Sequence, residues 1–327
     1  MEEKMYFKEI DALRGIAIVL VLLGHAIIVY PINLHEILWC KVLFIAVSSV
    51  HMPLFFFISG FCYSLGNNTY TAYLKKKVKR LLVPYIVFCI LDMVVRIILP
   101  SAVNKDRGIF ESIELMFFQG GGYWFLYVLF LIFLVFPVLE KIFSLYRMSL
   151  WITCLVFLVI RLTNIAPKIF MLDSICKYLL YFILGYFVRS RYQEFQAKKD
   201  KISLWLVSLG LAAWMACISL IVRFGDLEIF YLIASLVGIP TMYMIICNFI
   251  DKRNYFLYEF SKYSLPLYLM NGYVLVVSRI LIVGKLNIKS AIVIICFNMF
   301  TTLICSWIFI KWVVDRNKFF RFLFGMN

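Results

Sequence analysis

Long runs of apolar residues alternate with short polar segments along almost the whole chain. The hydrocarbon core of a bilayer is about 30 Å thick, and a helix that crosses it needs about 20 mostly apolar residues. Most of the runs reach that length and carry few charges. The pattern therefore predicts an all-α fold, a polytopic membrane helical bundle of about ten transmembrane helices. The predicted spans are residues 12–32, 43–65, 81–100, 123–143, 149–166, 173–189, 202–222, 229–250, 264–283 and 290–313.

Composition agrees with a membrane protein and bounds the domain organisation. Of the 327 residues, 64% are hydrophobic and 16% are charged, whereas a soluble domain is about half apolar. About ten spans with their loops account for the whole length of the chain. We therefore expect residues 1–327 to form a single membrane domain with no appended soluble domain. The 9 cysteines form no C-x-x-C pair, so neither a metal site nor a disulfide framework is expected.

The charge is basic and unevenly distributed. The chain has 33 Lys and Arg against 18 Asp and Glu, and cytoplasmic loops of membrane proteins are enriched in Lys and Arg. If both termini lie in the cytoplasm, alternating loops place most cations on that side, and no nucleic-acid partner is needed to explain the surplus. The basic segments assigned to the cytoplasmic side are residues 75–80, 189–201, 251–253 and 315–321.

Two ionisable residues interrupt the first apolar run, LRGIAIVLVLLGHA (13–26). Such groups are unfavourable within a span unless they are paired or hydrated, so each one indicates function. Arg14 and His25 are eleven residues apart, which is about three helical turns, so both lie on one helix face, about 16 Å apart. Asp11 precedes Arg14 by one turn, where it is able to cap the helix or hold the guanidinium group.

A second histidine falls within the next span. His51 lies about eight residues from the outer end of a span that runs inward, which places it near the depth of His25. Pro53 is able to open the helix nearby. The two imidazoles therefore predict a polar cavity within the membrane. The alternative is that each imidazole only hydrogen-bonds a neighbouring helix.

Other ionisable residues within the spans have simpler interpretations. Asp92 and Arg96 are four residues apart on one predicted helix, which is the spacing of a neutralising ion pair. Arg161 is expected to reach the nearer end of its span with its charged group.

The residue types at Arg14 and His25 favour anion binding and proton transfer. An imidazole is the usual general base near neutral pH, and a guanidinium is a fork of donors suited to phosphate. The run KKKVKR (75–80), which includes Lys77 and Arg80, adds cations on the cytoplasmic side. We interpret these residues as binding an anionic, phosphate-bearing ligand, with chemistry deeper in the membrane. For the basic run, the alternative is an ordinary loop that contacts anionic lipid.

Several sequence blocks, taken in order, resemble the acyltransferase 3 family of bacterial integral-membrane O-acyltransferases. DALRGIAIVLVLLGHA (11–26) resembles its N-terminal signature, an Arg and a His with ten residues between them. Two positions depart from the family pattern, since Asn271 stands where His is common and Lys77 where Arg is common. The later blocks that resemble the family are HMPLFFFISGF (51–61), KRLLVPY (79–85), YWFLYVLF (123–130) and SLPLYLMNGYV (264–274).

The resemblance implies transfer of an acyl group, most often acetyl from acetyl-CoA, to a hydroxyl of a surface polysaccharide or lipid-linked glycan. It implies that His25 is the essential imidazole, as general base or transient acyl carrier, and that Arg14 is its companion. We expect no metal cofactor, and the resemblance implies a location in the bacterial cytoplasmic (inner) membrane.

The same resemblance suggests roles for residues around this pair. Lys77 and Arg80 would hold the phosphates of acyl-CoA. Ser59 would donate a hydrogen bond to the developing oxyanion, although a small residue there also suits close helix packing. Tyr123 and Trp124 would stack a sugar ring of the acceptor, or else belong to the interfacial aromatic belt.

A multispan transporter or flippase of a lipid-linked glycan is the competing interpretation. Ten spans with buried charges fit that class equally well. Many such transporters contain internal repeats, however, and none is visible in this sequence.

Overall fold

The computed structural model describes residues 7–28, 32–98, 108–146, 148–197, 202–250 and 255–326. Within these ranges all regular structure is helical, which confirms the predicted fold class. Nine helices of the described part are long and apolar enough to cross a membrane, so the chain is a multi-pass membrane protein. The α-helices are α1 (Lys8–Ile27), α2 (Leu38–Phe61), α3 (Tyr70–Lys77), α4 (Val83–Ile98), α5 (Ile109–Gln119), α6 (Trp124–Leu145), α7 (Ser149–Thr163), α8 (Leu172–Ser190), α9 (Tyr192–Ala197), α10 (Leu204–Phe224), α11 (Glu228–Phe249), α12 (Tyr255–Lys262), α13 (Ser264–Arg279), α14 (Ala291–Phe309) and α15 (Lys318–Leu323).

The helices follow the predicted spans with small shifts. α1 begins at Lys8, before the predicted start at residue 12, and its first turn contains Glu9 and Asp11. Acidic side chains stabilise the positive end of a helix, which favours this early start. Residues 29–31 of the same predicted span lie outside the described residues. α7, at the fifth predicted span, has 15 residues and is shorter than the nine candidate spans.

The basic run at residues 75–80 lies in a helix, which corrects its assignment to a loop. Helical structure continues through it from residue 70 to residue 98, and the Thr69 side chain caps its start. Between α3 and α4 the segment Val78–Leu82 forms a π-turn. Pro84, two residues after this segment, has no N–H for an α-helical bond, which favours the wider turn.

Residues 101–122 connect the third and fourth predicted spans, and their described part contains α5. α5 ends at Gly120, whose φ of 71° lies in the left-handed region that glycine adopts without strain. A Cβ atom at this position would lie 2.7 Å from the Cα of Trp124. Gly120 therefore allows the tight turn from α5 towards α6.

The chain divides into two compact units, of which the first comprises Met1–Cys62 and Leu184–Ser306. In this first unit, α1 packs against α2, α11, α12 and α13. Small residues allow helices to approach closely. At Gly15 a Cβ atom would overlap the carbonyl oxygen of Leu257 on α12. The helix that carries Arg14 and His25 is thus held by four other helices.

The second unit comprises Tyr63–Ile183 and Trp307–Asn327. Its interior is rich in aromatic rings that meet edge to face. The ring centroid of Phe136 lies 4.7 Å from that of Tyr63 and 4.6 Å from that of Phe182. Such edge-to-face contacts stabilise the packed rings beyond the effect of burying their apolar surface.

The predictions for two charged sites within the spans of the second unit differ in how they compare with the structure. Arg96 Nε lies 2.8 Å from Asp92 Oδ2, which confirms the predicted ion pair. The prediction for Arg161 is wrong, because this side chain is 6% exposed and its Nη1 donates a hydrogen bond to the Tyr181 hydroxyl at 2.6 Å. Its guanidinium carbon also lies 5.5 Å from the Tyr181 ring centroid. The hydrogen bond and the cation–π contact stabilise the buried charge.

Candidate functional site

The neighbouring helices α1 and α2 bring polar residues together in two matching pairs. The Nη2 atom of Arg14 donates to the sulfur of Cys62 at 3.2 Å, and His51 lies within electrostatic range of His25. Arg14 and His25 are eleven positions apart on α1, and His51 and Cys62 are eleven positions apart on α2. The two helices run in opposite directions, so both pairs share one register and lie about 16 Å apart. The depth predicted for His51 agrees with this arrangement.

Asp11 fixes the guanidinium of Arg14, which is the second of its two predicted roles. Its Oδ1 accepts a hydrogen bond from Arg14 Nη1 at 3.0 Å and another from Ser261 Oγ at 3.2 Å. Ser261 belongs to α12, so a second helix orients the carboxylate. The Arg14 side chain is 25% exposed. A guanidinium has five N–H donors, and these contacts leave donors of Arg14 for an anionic ligand.

His25 is exposed near the end of α1. The residues one and two turns before it on the same face, Ile18, Val21 and Leu22, are at most 1% exposed. A helix face turned to lipid would be exposed along its length, so the imidazole reaches a local opening. The same buried residues separate it from Arg14. The two polar groups therefore occupy two openings on one helix face, and α1 itself presents no continuous polar groove between them.

His51 has a defined hydrogen-bonding state. Its Nδ1 lies 2.8 Å from the carbonyl oxygen of Val47, one turn earlier on α2. A carbonyl oxygen only accepts, so Nδ1 carries the hydrogen and donates. In the neutral ring, Nε2 is then the acceptor. The half-buried His51 is thus a base held in one tautomer beside His25.

The two cations predicted to hold the acyl donor lie in the second unit and have different surroundings. Lys77 Nζ lies 3.5 Å from the ring centroid of Phe133 and 5.3 Å from that of Tyr73, so aromatic faces stabilise its ammonium group. Arg80, on the π-turn, is exposed. Arg80 is therefore the more exposed of the two cations.

The remaining predicted site residues lie in both units. Ser59, in the first unit, is half-buried on α2, three residues before Cys62. In the second unit, half-buried Trp124 packs against Tyr178, with ring centroids 5.4 Å apart and planes tilted by 30°. Tyr123 is 9% exposed and packed within the same unit. Trp124 thus has an aromatic partner and a partly open face, whereas Tyr123 is largely covered.

Sequence reasoning missed a cluster that anchors the start of α1. The rings of Phe7 and Phe61 meet edge to face at 5.1 Å, and the guanidinium carbon of Arg189 lies 4.0 Å from the Phe7 centroid. Tyr192 packs against both rings, and its hydroxyl donates to Glu9 at 3.4 Å. Burial raises the pKa of Tyr192, and the neighbouring Glu9 carboxylate raises it further. The cluster joins three separate segments, so no spacing along the chain indicates it.

Asn271 on α13 is a further polar residue whose environment the sequence did not reveal. It is 3% exposed, and its Oδ1 has no hydrogen-bond partner among the described residues. Buried polar atoms are nearly always satisfied by protein or by ordered water. In the first unit, this oxygen marks a place that suits a water molecule or a hydroxyl donor.

Comparison with known proteins gives a family and one distant relative. A family model described as an acyltransferase domain, that of acyltransferase 3, matches residues 7–311, which includes residues of both units. The chain is also 28% identical to nodulation protein NolL of Mesorhizobium japonicum over 146 residues. That match covers 43% of this chain and 37% of the relative, well below two thirds of the relative's length. No solved structure matches the chain significantly.

Proposed function

The chain belongs to the acyltransferase 3 family, and on that premise we propose that it is an O-acyltransferase that uses acyl-CoA, acetyl-CoA foremost. The acceptor in this proposal is a hydroxyl of a surface polysaccharide or lipid-linked glycan. The protein lies in the bacterial cytoplasmic membrane with both termini in the cytoplasm, an orientation that the distribution of Lys and Arg supports.

The proposal depends most on the environment of His25. This imidazole is exposed within a membrane-spanning helix, within electrostatic range of His51. An accessible imidazole with a second imidazole nearby suits proton transfer. At the other opening on the same face, Asp11 orients the guanidinium of Arg14, and an oriented guanidinium suits a phosphate ester.

In the proposed reaction, a nitrogen of His25 accepts the proton of the acceptor hydroxyl while the hydroxyl oxygen attacks the thioester carbonyl carbon. The new C–O bond forms, the C–S bond breaks, and the departing CoA sulfur takes the proton from His25. In a second order of events, a ring nitrogen of His25 attacks the thioester carbonyl carbon, the C–S bond breaks, and the departing CoA sulfur takes the proton of the other ring nitrogen. The hydroxyl oxygen then attacks the acyl-imidazole, the C–N bond breaks, and the imidazole takes the hydroxyl proton. His51, a base in one fixed tautomer, stabilises the proton on His25 in either order.

Each unit supplies candidates for substrate binding. A donor whose phosphate end rests at Arg14 must extend about 16 Å along α1 to place its thioester at His25. Since Ile18, Val21 and Leu22 are buried, the part of the donor between its phosphates and its thioester has to pass beside these three residues. The second unit, taken by itself, carries an exposed cation, Arg80, that suits a phosphate group, and an aromatic face of Trp124 with Tyr178 that suits a sugar ring.

Mass spectrometry of the surface glycan tests the proposal in cells. A deletion strain is complemented with the wild type, His25→Ala, Arg14→Ala or, as a control at an exposed position, Cys296→Ala. We expect the acetyl-sized mass on the glycan to disappear with His25→Ala and Arg14→Ala. It should persist with the wild type and the control, at equal protein levels and with the polymer still on the surface.

The same experiment separates acyl transfer from transport. If the polymer disappears from the surface in the His25→Ala strain while the residual polymer keeps its acetyl groups, the chain moves the glycan and does not acylate it. Acetylation at the wild-type level with His25→Ala and a normal surface polymer would contradict both functions for this residue.

A further inference from the structure

The end of the second unit forms a cavity that the proposed reaction does not use. Its volume is about 510 Å³. The lining residues are Asp315, Arg316, Lys318, Arg321, Phe322 and Met326. We propose that this C-terminal cavity binds a phosphate group, which in the membrane is that of an anionic phospholipid headgroup.

The charges that line the C-terminal cavity favour an anion. Three of its residues are cations and one is a carboxylate. The carboxylate is already engaged, because Arg321 Nη1 lies 3.0 Å from Asp315 Oδ1. Within the part of the chain that the structure describes, neither Arg316 nor Lys318 forms an ion pair. The cavity therefore has an excess of two positive charges.

The environment of Arg316 prepares it for a ligand. Its guanidinium carbon lies 4.2 Å from the ring centroid of Trp312, one turn earlier. A cation–π contact orients a guanidinium without neutralising it. The N–H groups of Arg316 thus remain donors, and a planar fork of donors matches the oxygens of a phosphate.

The apolar surroundings favour a lipid headgroup over a soluble phosphate. The C-terminal cavity follows directly on the last membrane-spanning helix, whose helical structure ends at Val314. Phe319 and Phe322 are 64% and 44% exposed, whereas Phe324 packs against Phe88 of α4 with ring centroids 4.9 Å apart. Exposed aromatic side chains beside Lys and Arg are typical of segments that lie in the membrane interface. Phospholipid phosphates lie at that depth.

Binding to the purified full-length protein in detergent tests the proposal. The probes are dihexanoyl phosphatidylglycerol, inorganic phosphate and coenzyme A, each titrated separately by microscale thermophoresis. The test variant is the double substitution Arg316→Gln with Lys318→Gln. The matched control, Lys141→Gln with Lys168→Gln, removes two exposed cations of the second unit outside the cavity. Thermal unfolding of each variant shows whether it is folded.

We expect the test variant to bind phosphatidylglycerol about tenfold or more weakly, since each cation near an anionic lipid surface contributes about a fivefold change in affinity. The control should bind as the wild type does. Asp315→Asn removes the competing carboxylate from the cavity, so it should bind phosphatidylglycerol more tightly than the wild type. A gain in affinity does not arise from a misfolded protein.

The three probes distinguish the source of the phosphate. If the test variant loses affinity for inorganic phosphate and coenzyme A but not for phosphatidylglycerol, a phosphate site is supported and its assignment to a lipid is overturned. If the test variant and Asp315→Asn bind all three probes as the wild type does, the proposal as a whole is overturned. Neither result depends on the acyltransferase activity.

Discussion

The Oδ1 atom of Asp11 lies 3.0 Å from the Nη1 atom of Arg14, and the same oxygen accepts a hydrogen bond from Ser261 on α12. The guanidinium is also bonded to the sulfur of Cys62 at the end of α2. Three helices of the first unit thus fix the orientation of one cation. This cation is on the helix face that bears His25, and in the proposed reaction its position sets where the phosphate end of the donor binds.

Replacing Asp11 by Asn removes the charge that orients Arg14 and keeps the size of the side chain. A hydrogen bond to a charged group contributes about 1.5–3 kcal/mol, so we expect the KM for acetyl-CoA to rise about tenfold, with a smaller change in kcat. Ser261→Ala removes one hydrogen bond from the carboxylate and should have a weaker effect in the same direction. Steady-state kinetics in membrane vesicles measures both variants. An unchanged KM in Asp11→Asn would show that Arg14 does not bind the donor.

His51→Gln tests the second imidazole. Glutamine keeps a polar side chain near Val47 but is no base, so proton transfer through His25 loses its neighbour. We expect kcat to fall about tenfold or more while the KM for acetyl-CoA stays within about twofold, because general base catalysis contributes about a hundredfold or more. Kinetics in vesicles, with protein levels matched by immunoblot, gives the two constants. A residue with only a packing role would instead lower the amount of folded protein and leave kcat unchanged.

Gly15→Ala tests the contact between α1 and α12. The added methyl group overlaps the carbonyl oxygen of Leu257, and overpacking typically destabilises a protein by about 1–3 kcal/mol. Gly272→Ala is the matched control, because no atom lies within 4 Å of the Cβ position there. Thermal unfolding in detergent should show a melting temperature below that of the wild type for Gly15→Ala and an unchanged melting temperature for Gly272→Ala. Equal melting temperatures would mean that the two helices are not in close contact.

Tyr192→Phe tests the cluster at the start of α1 through its pH dependence. Burial, and then the Glu9 carboxylate, raises the pKa of Tyr192 above its ordinary value of 10.0. The phenol of the unfolded chain therefore ionises at a lower pH than the phenol of the folded protein. The contribution of Tyr192 to the free energy of unfolding is fully present below about pH 10 and is lost as the pH rises through the pKa of the folded state. Between about pH 9 and about pH 11, the melting temperature of the wild type should fall more than that of Tyr192→Phe. Parallel curves would show that Tyr192 is not buried in the folded protein.

The sequence was sufficient for features that depend on length and on spacing within one helix. Apolar runs of sufficient length indicated the spans, and the interval between Arg14 and His25 placed both on one face. The interval between Asp92 and Arg96 indicated their ion pair. These predictions need no knowledge of which helices are neighbours.

Features that depend on contacts between helices could not be predicted. The bond between Arg14 and Cys62 requires the depth of α2 relative to α1. The burial of Arg161 requires its neighbour Tyr181, from a different helix. The helical state of the basic run at residues 75–80 was missed because a high density of cations marks the cytoplasmic side and does not distinguish a loop from an extended helix.

Transfer of labelled acetyl groups by membrane vesicles tests the central role of His25 most directly. Vesicles that contain the wild type, His25→Ala or Cys296→Ala are incubated with acetyl-CoA labelled in the acetyl group, and the label in the glycan fraction is counted. We expect the wild type and Cys296→Ala to label the glycan at equal rates, and His25→Ala to label it no faster than vesicles without the protein. Labelling by His25→Ala at the wild-type rate, at equal protein levels, would contradict the proposed chemistry.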